Sequence, residues 1–196
     1  MKRLFNRLPL FIGIVLVLVT LFASLIAGCK SGTGPVALTV VNGNETKTFT
    51  VAQLEKLPSI SGTTGDISST GTIEGPSLYK GVPLTDILKA VGGITPDEAI
   101  TISAKDGYSM TMSYNQVEKG TEFPTFDTVT GKEVTPDPTM TVFMAYEKDG
   151  TLLDDTVGPL RLGIMASNEL TDGHWWVKWA ETIEIITVPQ PTSTGN

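Results

Sequence analysis

The chain has 196 residues, 21 acidic against 14 basic, and a formal net charge of −7. So acidic a balance argues against nucleic acid and anionic membrane surfaces as partners. Its single cysteine, Cys29, rules out an internal disulfide, and it leaves the body of the protein without a thiolate metal site or cysteine nucleophile.

Lys2, Arg3 and Arg7 precede an uncharged apolar run from Leu8 to Gly28. A positive start, an apolar middle and small residues at the end form an export signal, here residues 1–28. The run is also long enough to span a bilayer if it were retained. Ile26-Ala27-Gly28-Cys29 resembles the lipobox of bacterial lipoproteins, which implies cleavage before Cys29, its lipidation, and a domain anchored on the extracytoplasmic face of the cell membrane. Removal of the signal leaves 11 basic residues against 21 acids, a formal charge of −10. Residues 29–35 then form a lipidated linker, 36–188 one domain, and 189–196 a loose tail.

Val36 to Val41 is rich in β-branched residues and meets an Asn42-Gly43-Asn44 turn, so a hairpin returning through Thr46–Thr50 is expected. Thr50 and Gln53 have capping-box spacing, with Phe49 and Leu54 as a hydrophobic staple, which predicts a helix over Val51–Leu57. Ser59 to Pro76 reads as a Ser/Thr/Gly loop with a strand near Asp66–Glu74. Pro83 suits a helix's first turn, and Leu84, Ile87, Leu88 and Val91 share one face before Gly92-Gly93 ends it. Thr95 to Glu98 is a capped turn. Ile100–Ala104 and Tyr108–Met112 flank Asp106-Gly107 as a second hairpin. Ser113 and Gln116 repeat the capping box over a short helix closed by Gly120.

Thr121 to Thr139 reads as a long loop, either a lid or a segment pinned to the core by Phe123 and Phe126. Met140–Tyr146 and Thr151–Leu153 form a third hairpin, Leu160–Met165 is a strand, and Trp175–Trp179 and Thr182–Val188 are read as the last strands. Many short strands with few short helices predict an α+β, mainly β domain.

Gly158 to Ile185 carries all three tryptophans, the only histidine, and the only arginine beyond the N-terminus, Arg161. Alternation along a strand puts Arg161 on a face with Gly163 and Met165, opposite Leu160, Leu162 and Ile164. The same alternation joins His174, Trp176 and Lys178. If the two faces meet, they frame a slot for a flat anionic ligand, held by the Arg161 fork and stacked on an indole. The competing readings stay open: Arg161 pairs with a carboxylate, His174 is a turn residue, and Lys178 is solvated. Trp175 and Trp179 are assigned to the core, and Trp176 is left more open. Asp154-Asp155 is a weak calcium signal, and neither a nucleophile elbow nor a phosphate-binding glycine fingerprint is present.

Several segments, in order, resemble the molybdopterin-binding domain of the sulfite oxidase family. They are Leu38–Pro58, Tyr79-Lys80-Gly81-Val82-Pro83-Leu84 with Ile87-Leu88, Ala104–Tyr108, Gly158-Pro159-Leu160-Arg161-Leu162, and Val177-Lys178-Trp179 followed by Ile183-Glu184-Ile185. The resemblance implies a mixed, mainly β fold with a cofactor cleft. Arg161, His174 and Lys178 would fall in that pocket, with Asp106 and Tyr108 nearby. In catalytic members a cysteine after the first helix ligates molybdenum, and Ser59–Pro76 holds no cysteine, so Cys-ligated molybdenum is not expected.

The leading expectation is therefore a non-catalytic, lipid-anchored module for molybdopterin, another pterin or a similar flat anion. Its cofactor-binding residues would be Arg161, His174, Trp176, Lys178, Asp106 and Tyr108, with no catalytic or metal-ligating residue. Arg161→Ala is expected to weaken binding and leave the fold intact. Two alternatives are a molybdenum-cofactor-dependent oxidoreductase with a non-thiolate ligand, and a structural or protein-interaction lipoprotein on the same fold.

Overall fold

The computed structural model describes residues 34–135, 140–166 and 168–189. The expected export signal, Cys29, all but the end of its linker, nearly all of the C-terminal tail and the end of the Thr121–Thr139 loop lie outside them. Among the described residues no helix is long and apolar enough to cross a membrane.

Strand β1 (Leu38–Asn42) turns at Gly43-Asn44 into β2 (Glu45–Phe49). Thr50 then caps helix α1 (Val51–Leu54): its hydroxyl accepts from Gln53 N, and the Gln53 side chain accepts from Thr50 N. The helix ends earlier than the predicted Leu57. Phe49 and Leu54, the staple pair, are both buried in the main core.

The segment 59–76 departs from its reading as a loop with a strand near Asp66–Glu74, since the middle of that span is a turn. The segment forms most of a long hairpin, β3 (Ile60–Ile67) against β4 (Ile73–Pro83), closed by the turn at 68–72. Serine, threonine and glycine read as loop residues, but threonine is β-branched and suits a pleated surface. Helix α2 (Leu84–Leu88) follows, tightened into a 3-10 turn over Lys89–Val91 and stopped by Gly92 in the left-handed region, φ 95°. Strands β5 (Glu98–Ala104) and β6 (Ser109–Ser113) pair as expected, and Ser113 and Gln116 close the second capping box on α3 (Tyr114–Lys119).

The long loop carries two short strands, β7 (Thr125–Phe126) and β8 (Glu133–Val134), and Phe123 is buried against Trp175 with ring centroids 5.4 Å apart. Phe123 thus pins this segment to the core. Next come β9 (Thr141–Lys148), β10 (Thr151–Leu152), β11 (Arg161–Met165), β12 (Leu170–Asp172) and β13 (Ala180–Thr187).

Two sheets result. One has the order β2-β1-β13-β5-β6; the other runs β10-β9-β4-β3-β12-β7-β8, with β11 also paired to β9. A single core joins them. Val40, Ile100, Ile102, Ile183 and Ile185 from the first sheet meet Val82, Val142, Met144, Leu162 and Ile164 from the second, with Leu84, Ile87, Leu88 and Val117 from the helices. The fold is α+β and mainly β, as read from the sequence.

Alternation gives the second sheet another apolar face. Along β9, Val142, Met144 and Tyr146 enter the main core, while Phe143 and Ala145 join Tyr79 and Trp176 in a separate cluster. A strand covered on both faces reads as a continuous apolar run, as VFMAY does here. The candidate site stands beside this second cluster.

Candidate functional site

The site begins with an irregularity in the β3–β4 hairpin. The register shifts between Thr64 and Asp66, where two residues of β4, Gly75 and Pro76, oppose one of β3, so the bulge is on β4 and faces Gly65. The Gly65 backbone lies so close to β4 that a Cβ there would come within 2.4 Å of the Glu74 carbonyl oxygen. Beyond the bulge Asp66 pairs directly with Glu74 across the ladder. Two carboxylates facing each other in an antiparallel pair repel, so a cation is needed between them.

Arg161, the first residue of β11, supplies it. Its Nη2 donates to Asp66 Oδ1 and to Glu74 Oε2, both at 2.8 Å, and its Nη1 donates to Tyr79 Oη at 3.1 Å. The guanidinium also lies over the Trp176 ring, 4.6 Å from its centre. The side chain is only 3% exposed, and Nε is buried without a hydrogen-bond partner among the described residues. Arg161 is therefore paired with carboxylates, the competing reading of the sequence, and is not a free fork awaiting an anion. Arg161→Ala would strand Asp66 in a buried position, so the expectation of an intact fold is corrected.

Burial pushes the Asp66 carboxyl above the ordinary aspartate range; Arg161 opposes this and the neighbouring Glu74 charge adds to it. Burial also acts upward on Glu74, but Arg161 and then Lys178 outweigh it and hold that carboxyl below its ordinary value.

Trp176, left more open by the sequence, is the most deeply buried of the three tryptophans. It is 5% exposed, its Nε1 donates to Thr171 Oγ1 at 2.8 Å, and it packs on Tyr79 at 5.3 Å. Its ring also covers Gly163, filling the space into which the sequence placed a ligand. Trp175 and Trp179 are half-buried, and Trp175 packs against the main core as assigned.

Residues 175–179 do not form the expected strand. A 3-10 turn over Gly173–Trp175 is capped by the Asp172 side chain, which accepts from His174 N at 2.9 Å. Trp179 then takes the left-handed region, φ 52°, which an aromatic residue seldom adopts. Three bonds hold it there: Trp179 N to Val157 O, Lys105 N to Trp179 O, and the indole Nε1 to Asp155 O.

Even so, the six residues singled out from the sequence line one open cleft of about 590 Å³. Arg161 and Trp176 form its floor. His174, Tyr108, Lys178 and Asp106 are at its rim. Tyr108 Oη donates to the His174 carbonyl at 3.0 Å and lies 3.4 Å from His174 Nδ1, while Lys178 Nζ reaches Glu74 Oε1 at 3.4 Å. Alternation on a strand was the wrong reason for His174, Trp176 and Lys178 to converge; the irregular turn brings them together.

The cleft is not the cationic slot expected. Asp66, Glu74, Asp106 and Asp172 set four carboxylates against the two permanent cations, Arg161 and Lys178. The sequence assigns no site role to Asp66, Glu74, Tyr79 or Thr171. Their one signal was a pair of acids inside an otherwise uncharged Ser/Thr/Gly stretch.

No family model matches the chain, and no curated protein matches it by sequence. Among solved structures it is similar to the sulfane dehydrogenase SoxCD from Paracoccus pantotrophus, at TM-score 0.53 and 20% identity. The match covers 76% of this chain and 37% of that one, so this chain spans little more than a third of its neighbour's length. The likeness is one of fold: this is a sulfite-oxidase-like, mainly β domain.

Proposed function

We propose that the domain is a non-catalytic binding module for a pterin-class molecule, anchored outside the cytoplasm through an acylated Cys29. The observation that carries this is the convergence of Asp106, Tyr108, Arg161, His174, Trp176 and Lys178, distant in sequence, on one cleft. The excess of carboxylates there refines the ligand. A pterin joins an amino-pyrimidinone edge, which donates two N–H groups, to a tail that can carry a phosphate. The edge suits a carboxylate such as Asp106 or Asp172. The phosphate suits Lys178 and His174. Tyr108, 40% exposed, offers a ring face for the flat heterocycle.

The donor set does not suit molybdenum in the manner of the catalytic family members. Their ligand is a thiolate, and the only cysteine of this chain precedes the domain. Asp66, the nearest substitute, is buried and committed to Arg161. We therefore derive no redox step.

The test is to isolate the protein from cells that make a molybdenum cofactor, then measure metal content and the small molecules released on denaturation. A released pterin without stoichiometric molybdenum supports the proposal. Stoichiometric molybdenum would overturn the non-catalytic reading and favour the oxidoreductase. Absence of any pterin, together with no pterin binding on titration, would favour a scaffold that uses the fold for protein contacts.

A further inference from the structure

This inference deepens the reading of the cleft as the site of a ligand with an anionic group, and rests on it. Asp66 and Glu74 face each other across β3 and β4, and Arg161 Nη2 donates to both at the same distance, 2.8 Å. Their surroundings differ. The Asp66 side chain is 9% exposed, whereas that of Glu74 is 46% exposed and also meets Lys178 Nζ at 3.4 Å. Both permanent cations of the cleft thus end on one half-exposed carboxylate. Among the described residues lining the cleft, only the space between Arg161 Nη2 and Lys178 Nζ offers an anion two permanent cations, and Glu74 fills it.

We propose that Glu74 is the specificity-determining residue of this cleft, a resident carboxylate that an incoming phosphate or carboxylate group must displace from Arg161 and Lys178. A tethered group competes at a high effective concentration, so a small anion of single charge is excluded at ordinary levels. A phosphate ester gains entry because it carries more charge and more acceptor oxygens, and because its heterocycle adds a contact at Tyr108. Displacement does not release Arg161. Asp66, Tyr79 and Trp176 continue to hold the guanidinium, while Glu74, near the start of β4, turns toward solvent.

The experiment titrates inorganic phosphate, at fixed ionic strength, into wild-type protein, Glu74→Ala and Glu74→Gln, with a thermal melt of each to confirm folding. Glu74→Gln nearly preserves the shape and keeps a hydrogen-bond acceptor for Arg161, so it guards against a folding failure in the alanine variant. Phosphate affinity is expected to rise about tenfold or more in Glu74→Ala and by less in Glu74→Gln, and the gain to vanish when Lys178→Ala is added. Equal affinity in wild type and both variants, or weaker binding in Glu74→Ala, overturns the proposal. A gain for phosphate supports it even if pterins do not bind. A pterin phosphate binding wild type and Glu74→Ala equally well overturns it and leaves the pterin reading standing.

Discussion

Gly163 lies beneath the six-membered ring of Trp176, so close that a Cβ built on the glycine would come within 2.7 Å of Cζ3 and within 3.0 Å of two further ring carbons. The ring cannot retreat freely, because it is bonded to Thr171 and packed on Tyr79 and Phe143. Gly163→Ala therefore overpacks the cluster, and we expect a loss of about 1–3 kcal/mol. In a domain of this size each kcal/mol lowers Tm by about 2–4 °C. Thermal unfolding checks it; an unchanged Tm would show that the ring is not held as described.

Arg161 and Asp66 act as a unit. Removing one partner of a buried, hydrogen-bonded ion pair costs about 3–5 kcal/mol, because the other is left charged and unpaired. Arg161→Met alone should destabilise by that order. Adding Asp66→Asn should restore part of the loss, so that the double variant is more stable than the sum of the single ones predicts. Urea unfolding of the four proteins measures the coupling. Strict additivity would mean that the pair is not a unit.

The two acids move stability in opposite directions with pH. Burial raises Asp66, so the folded state holds that proton more tightly than the unfolded chain does. Its contribution is complete below the unfolded value, about 3.9, and is lost as pH rises through the raised folded value. For Glu74 burial acts upward, but Arg161 and Lys178 prevail and the folded value is depressed. Its contribution is present above the unfolded value, about 4.3, and is lost as pH falls through the folded one. The stability of wild type relative to Glu74→Gln should therefore shrink between pH 7 and pH 3. In the variant, Asp66 should titrate lower, since a repelling charge is gone. Urea unfolding at both pH values and carboxyl-carbon NMR read the two effects; a stability difference that grows on acidification contradicts the assignment.

Much of the fold could be read from local chemistry. The capping boxes at Thr50/Gln53 and Ser113/Gln116, and the stop at Gly92, each involve residues within a few positions of one another, where side chain and backbone settle the outcome. The β3 strand was missed because what makes it a strand lies elsewhere in the chain: β12 pairs beside it, and Thr64 Oγ1 donates to the Ile164 carbonyl 100 residues away. The site was legible as a set of residues and not as a geometry. Arg161 stood out as the one arginine beyond the N-terminus, but nothing near it in sequence announced Asp66 and Glu74. Period-two alternation failed at 173–179 because Gly173–Trp175 forms a 3-10 turn capped by Asp172, and Trp179 then adopts a left-handed backbone, held by bonds to Val157, Lys105 and Asp155.

Anchoring through Cys29 has its own test. Cys29→Ser should abolish incorporation of a fatty-acid label and leave the chain at its precursor mass. Normal processing of the variant, without label in either protein, would assign the N-terminal run to an ordinary cleaved signal.

The most direct measurement of the central claim is a fluorescence titration of a pterin monophosphate into wild-type protein, His174→Ala and Lys178→Ala. Both substituted side chains are at the cleft rim, and the Lys178–Glu74 contact is worth at most about 1 kcal/mol at such exposure, so both variants should fold. The account predicts saturable binding to wild type, and a loss of about tenfold, the worth of one charge-assisted hydrogen bond, in Lys178→Ala. Binding absent in wild type at millimolar ligand, or equally strong in all three proteins, would contradict it.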